Sequence, residues 1–202
     1  MFFSLSMPEE GRTGMNYAQV YLCDTANGIG CRTSLFVSGC THHCKDCFNE
    51  QTWPFDYGKP FTNEVQNVLI SETNHPYIDG FTILGGEPME LKNQAAVRPF
   101  LERIRRELPG KTIWIYSGYN WEELTDENNR RCHSRDTGKI LEMTDVLVDG
   151  RFIVEKRDIT LRFRGSSNQR IIDVPASLRT GKVIISRYQN DGRTGMDSCL
   201  TD

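Results

Sequence analysis

Short apolar runs rich in β-branched residues recur along the chain: TSLFV (33–37), GFTILGG (80–86), TIWIYSG (112–118), DVLVDG (145–150) and KVIIS (182–186). Each has the length of a strand. Most are near-continuous rather than alternating, as in strands covered on both faces of a parallel sheet. Between them the period changes. FTNEVQNVLISE (61–72) puts Val65, Val68 and Leu69 on one helical face, behind Thr62 as N-cap. VRPFLERIRREL (97–108) aligns Phe100, Leu101, Ile104 and Leu108, with Pro99 in the first turn and Pro109-Gly110 ending the helix. Its arginines, Arg98, Arg103, Arg105 and Arg106, fall off that stripe and read as a solvated face. TGKILEMT (137–144) is a further short helix. Strands alternating with helices predict an α/β fold with a parallel sheet and right-handed crossovers. Ligands in such folds sit at the carboxyl ends of strands. A cysteine-rich run follows the strand at 33–37, and Gly85-Gly86-Glu87-Pro88 follows the strand at 81–84, so both are expected at one edge of the sheet.

The pattern fades at both ends. Residues 1–14 read as an extension, with Met15 as an alternative start, residues 15–188 as one domain, and residues 189–202 as a polar tail. The pentapeptide GRTGM occurs at 11–15 and again at 192–196; a match this short is not a structural repeat. With 202 residues, 38% apolar and 25% charged, the chain is expected to be one soluble globular domain. A net charge of −3 gives no bulk attraction to nucleic acid or to an anionic membrane surface. No apolar run approaches the ~20 residues of a membrane span. The opening MFFSLSM is short and lacks a basic start, so it is a poor signal peptide, and the expected location is the cytoplasm.

The chain has seven cysteines, and their odd number and uneven spread argue against a disulfide framework. Cys40, Cys44 and Cys47 fall within SGCTHHCKDCF, spaced C-x3-C-x2-C. Gly39 permits a sharp turn before them, and a loop this short leaves backbone amides free to donate to sulfur. A structural zinc site completed by His42, His43, Cys31 or Cys23 is one reading, but closed zinc sites usually join two distant ligand pairs and no second pair follows. Three unrelated buried thiols are another, disfavoured by the clustering beside Lys45 and Asp46. The sharper reading is a [4Fe–4S] cluster held by three thiolates, where four are usual. Its fourth iron would stay open, as catalytic metals do.

The spacing is that of the radical S-adenosylmethionine (SAM) superfamily. NGIGCRTSLFVSGCTHHCKDCFNEQTW, LGGEPM, PGKTIWIYSGY, DVLVDGRFI and RGSSNQR, in that order from about Asn16 to Ile172, resemble the anaerobic ribonucleoside-triphosphate reductase activating proteins. The resemblance implies an incomplete parallel β/α barrel, open on one side to admit a protein loop. It implies that Cys40, Cys44 and Cys47 bind the cluster and that SAM completes the open iron. An electron then cleaves SAM, and the 5′-deoxyadenosyl radical takes hydrogen from a glycine of the reductase large subunit. Asp46, Cys47 and Phe48 would line the adenine side, although the aromatic that many superfamily members carry before the third cysteine is here Asp46. Gly85 and Gly86 would let SAM approach the strand end, and Glu87 would accept from its amino group. Ser117 reads equally as a SAM contact or as a loop residue, and Asp149 as a turn residue. The 164–170 block would cap the open side or touch the partner. The resemblance also points to an electron donor such as a flavodoxin and allows a homodimer. Cys23, Cys31, Cys132 and Cys199 read as plain thiols, and His75 and His133 as surface residues. Two alternatives stand beside this reading: an activase of another glycyl-radical enzyme such as pyruvate formate-lyase, and a non-catalytic zinc-binding module.

Overall fold

The computed structural model describes residues 12–189, and the second GRTGM and Cys199 lie outside them. Seven strands form one open sheet: β1 (Arg12–Asp24), β2 (Arg32–Val37), β3 (Lys59–Thr62), β4 (Gly80–Gly85), β5 (Thr112–Tyr116), β6 (Val146–Asp149) and β7 (Arg170–Asp173). Their order is β3-β1-β2-β4-β5-β6-β7. The four central strands, β2, β4, β5 and β6, are parallel, while β1, β3 and β7 pair antiparallel at the two sides. The fold is therefore mixed α/β, and the expected all-parallel sheet is confined to its centre.

Alternation along the central strands explains the layering. Leu35 and Val37, Phe81 and Ile83, Ile113 and Ile115, and Leu147 face one core. Over that face lie α1 (Asn63–Thr73) and α2 (Leu91–Glu107), which contribute Leu69, Val97, Phe100, Leu101 and Ile104. The opposite face carries Trp114, Val146 and Val148 under Phe163. Among the described residues, no helix of comparable length packs on that second face, and loop residues cover it. Thr62 caps α1 as expected, its hydroxyl accepting from the Val65 amide; such a cap contributes about 1 kcal/mol. Val68, expected on the buried face, is exposed.

Three elements depart from the sequence reading. β1 begins at Arg12, inside the stretch read as an extension, and pairs with both β2 and β3. α2 begins at Leu91, so Pro99 lies inside it and not in its first turn. The first turns hide because Asn93 and Gln94 are buried, their amides satisfied by backbone carbonyls. The expected strand 182–186 is irregular, with a single antiparallel bridge between Ile185 and Ile172. The last strand is β7, formed where the polar 164–170 block runs into Ile171 and Ile172. Segment 184–189 covers its outer edge: Asp173 N–H donates to Ile184 O, Ser186 N–H to Ile171 O, and Ile171 N–H to Gln189 Oε1. Nor is the arginine face of α2 merely solvated. Arg98 pairs with Asp136, Arg103 reaches Gln66 and Asn67, and Arg105 binds Met143 O and Asp145.

α3 (Trp121–Thr125) and α4 (Thr137–Glu142) connect β5 to β6, and α5 (Val174–Thr180) follows β7. No helix among the described residues is long and apolar enough to cross a membrane. β2, β4, β5 and β6 end at Val37, Gly85, Tyr116 and Asp149. Being parallel, they deliver the segments that follow them to one edge of the sheet.

Candidate functional site

A cleft of about 500 Å³ opens at that edge. Phe36, Leu84 and Tyr116 belong to β2, β4 and β5 and line it from the face away from α1 and α2. Cys40, Cys44, Cys47, Phe48, Gly85, Gly86, Glu87 and Ser117 line it together, with Gly150 and residues of 152–169. Asp46 does not: it is exposed, with a left-handed backbone (φ 56°).

The cysteine loop is fixed at its start by three backbone bonds. Ser38 N–H donates to Asn16 O, Gly39 N–H to Thr52 O (2.7 Å) and Cys40 N–H to Trp53 O (3.0 Å). Gly39 has φ +96°, and a Cβ there would strike the Phe55 ring, so glycine is required on two grounds. His43 is also left-handed (φ 48°), a conformation costing about 1–3 kcal/mol outside glycine. Its ring stacks on Trp53 at 4.5 Å, which offsets part of that cost.

Each of the three sulfurs has a backbone N–H beside it. Asn49 N–H lies 3.4 Å from Cys47 Sγ, and the amides of His42 and His43 lie near Cys40 and that of Phe152 near Cys44. Burial pushes the Cys40 thiol up to about 12, with the Glu87 charge adding to it and the two amides opposing. Cys44 is raised by burial and then by Cys47, opposed by the Phe152 amide and Arg151. A metal's positive charge would release these protons, and the waiting N–H groups would then stabilise thiolate sulfur. Three soft donors on one short loop, with backbone amides near them, fit a [4Fe–4S] cluster. Among the described residues, no three His, Cys, Asp or Glu side chains are grouped to hold a single ion.

Glu87 is held among protein donors. Its carboxylate is fully buried: Oε1 accepts from Met89 N–H (2.8 Å) and Ser117 Oγ–H (2.9 Å), and Oε2 accepts from Gly118 N–H (2.6 Å). His42 Nε2 stands 3.0 Å from Oε2. The Glu87 carbonyl accepts from Asn93 Nδ2 and Glu90 N–H. Both the carboxylate and the carbonyl of Glu87 are engaged inside the protein, and the carboxylate ties the cysteine loop to the ends of β4 and β5. Gly86 does approach closely, but toward protein: a Cβ there would lie 2.7 Å from Gly39 O. Ser117 donates to Glu87 and accepts from Tyr119 N–H, while still lining the cleft.

The far wall is held by the 164–170 block. Gln169 accepts from Gly165 and Ser166 amides and donates to Gly150 O; Asn168 donates to Arg151 O. Arg170 binds Asp149 and Glu122. Asp149 is buried and also accepts from Trp121 N–H (2.7 Å), so it anchors α3 and is not a simple turn residue. Phe48, 62% exposed, lies 5.4 Å from the Phe152 ring and 5.0 Å from the Arg157 guanidinium. Sequence reasoning missed this Phe152–Arg157 side, because no local motif marks it. Cys23 and Cys31, read as plain thiols, are joined as a disulfide with Cα atoms 5.4 Å apart. Cys132 is a buried thiol, and its Sγ–H donates to Glu123 O.

Residues 26–172 match the family model described as a 4Fe-4S single cluster domain. Anaerobic ribonucleoside-triphosphate reductase-activating proteins align over most of the chain. That of Haemophilus influenzae is 42% identical over 157 residues, spanning 77% of this chain and 96% of its own. That of Pasteurella multocida is 40% identical, spanning 77% and 95%. That of phage T4 is 35% identical over 158 residues, spanning 78% and 93%. Three amide-flanked thiols beside a glycine-rich strand end, within a match of this extent, place the chain in the family of anaerobic ribonucleoside-triphosphate reductase-activating proteins.

Proposed function

We propose that this chain is a radical SAM activase: it holds a [4Fe–4S] cluster on Cys40, Cys44 and Cys47, binds SAM at the iron left open, and generates a glycyl radical on the anaerobic ribonucleoside-triphosphate reductase. The observation that carries this reading is the meeting of three cysteines and the Gly85-Gly86 strand end in one cleft, with three protein thiolates where a closed cluster takes four. The reduced cluster, when bound, supplies the electron that cleaves SAM and so starts hydrogen abstraction from glycine. The chain's own residues hold and enclose. Amides of His42, His43, Phe152 and Asn49 steady the sulfurs. Phe48 and Phe152 offer an aromatic surface for adenine, and Gly85 and Gly86 line the cleft where the strand end packs closely on the cysteine loop. The open sheet, with four parallel strands at its centre, is a partial β/α barrel of the radical SAM type. Its open side admits a loop from the reductase large subunit.

The test is metal and sulfide analysis of anaerobically reconstituted protein, followed by reduction with SAM present. About four irons per chain and release of deoxyadenosine are expected. Zinc in place of iron, with intact SAM, would overturn the reading. Glycyl-radical formation on the reductase, and none on pyruvate formate-lyase, would identify the partner.

A further inference from the structure

The structure assigns His42 a positioning role: its side chain, fastened to Glu87, holds the Cys40 limb of the cysteine loop against the ends of β4 and β5. The ring is nearly enclosed, with 2% side-chain exposure against 1% for Glu87. With a carboxylate 3.0 Å from Nε2, the proton of a neutral ring belongs on that nitrogen. The imidazole packs tilted on Tyr119 at 4.3 Å, and it occupies space that exists only because residue 118 is glycine: a Cβ there would lie 2.5 Å from the ring. The ring is therefore set by a carboxylate, an aromatic and a missing side chain at once.

The backbone amide of the same residue lies near Cys40 Sγ, and Cys40 N–H, two residues back, donates to Trp53 O (3.0 Å). Glu87 in turn binds Ser117 and Gly118 just after β5 and Met89 ahead of α2. His42 thus links one cluster sulfur to two strand ends through one side chain and one peptide group. Removing the side chain leaves Oε2 of Glu87 short of one donor and frees the His42 peptide to turn away from sulfur. The consequence falls first on Cys40, which is otherwise buried, and then on any cluster bound there, because hydrogen bonds to sulfur help set cluster potential.

The experiment compares wild type, His42→Ala and His42→Gln, whose amide nitrogen can take the place of Nε2. In metal-free, reduced protein, the alkylation rate of each cysteine is read by peptide mass spectrometry. Circular dichroism and the melting temperature establish that each variant is folded. In His42→Ala, Cys40 is expected to react about tenfold faster or more, as a limb released from local protection does, with Cys44 and Cys47 less affected. His42→Gln should restore most of the protection. The second readout, which rests on the proposed function, uses iron-loaded protein. Iron retention should fall about 10–100-fold in His42→Ala, the range for lost outer partners of metal ligands. The midpoint potential should move down, since an N–H group that stabilises the reduced cluster would be lost. Unchanged Cys40 reactivity in folded His42→Ala overturns the inference, as does equal acceleration of all three thiols. A wild-type protein that takes up no iron refutes the proposed function, while the thiol measurement still decides the role of His42.

Discussion

Replacing Glu87 by glutamine changes one atom and tests the central knot of the site. All four contacts converge on two oxygens, two donors to each. A carboxylate can accept them all, whereas a glutamine keeps one acceptor oxygen and presents an NH2 to the remaining two donors. If the amide oxygen takes the Met89 and Ser117 side, the contacts to Gly118 N–H and His42 Nε2 become donor against donor. Hydrogen bonds to a charged group contribute about 1.5–3 kcal/mol each. Against that loss, glutamine removes the cost of burying a charge. The net expected destabilisation is about 2–4 kcal/mol, a large part of a typical margin of 5–15 kcal/mol. Glu90→Gln is the control. Glu90 is also buried and also holds the cysteine loop, but both donors from Thr41 reach the same oxygen, Oε1. Glutamine can keep that oxygen in place, and the expected loss is under about 1 kcal/mol. Urea unfolding of both metal-free variants, with the m-value checked for constancy, measures the difference. Glu87→Gln no less stable than Glu90→Gln would refute the reasoning that the Glu87 carboxylate is saturated by donors.

Four further outcomes are expected. Gly86→Ala should lower iron uptake together with SAM binding, because its Cβ would press on Gly39 O just before Cys40; loss of SAM binding alone, with iron intact, would contradict the crowding. Arg170→Met should cost about 3–5 kcal/mol in thermal or urea unfolding, since it strands the buried Asp149 carboxylate. Phe48→Ala should spare iron and weaken SAM binding by about 1–3 kcal/mol, the worth of a base stacked on an aromatic ring, measured by equilibrium dialysis of the loaded protein. The raised Cys40 thiol carries a pH signature. Its folded value of about 12 lies above the 9.0 of an ordinary thiol, so the folded state favours the protonated form. Its contribution to stability is complete below pH 9 and is lost as pH rises toward 12. Metal-free wild type should therefore lose about 1–2 kcal/mol more than Cys40→Ser between pH 8 and pH 10.5; parallel pH profiles would contradict it.

Much of the central sheet was legible because its signals are local. Continuous apolar runs marked β2, β4, β5 and β6, and the cysteines and paired glycines sit directly after two of them. That was enough to bring both motifs to one edge before any contact was known. The remainder depended on partners distant in the chain. β1 escaped because Gly14, Asn16 and Gln19 break its apolar pattern and register shifts interrupt its pairing. The start of α2 escaped because its buried polar residues are explained only by carbonyls elsewhere, such as Ser38 O and Cys132 O. The neighbours of Glu87 in sequence, a strand end and a proline, suggest a ligand contact and give no sign of its structural bonds. Its bonding partners at positions 42, 117 and 118 are invisible to a local reading. The 164–170 block carried no periodicity, and its meaning emerged only as bonds to Asp149, Gly150 and Arg151.

The failed strand at 182–186 has a use of its own. A terminal strand such as β7 normally offers a row of unpaired amides and carbonyls that recruits further strands from other molecules. Here the chain doubles back and spends those groups on itself, at Ile171 and Asp173, with a segment too irregular to template another strand. The irregularity is protective: a straight 182–186 strand would have moved the sticky edge outward by one position, and the crooked one ends it. Substitutions that straighten this segment are thus a risk for aggregation more than for folding.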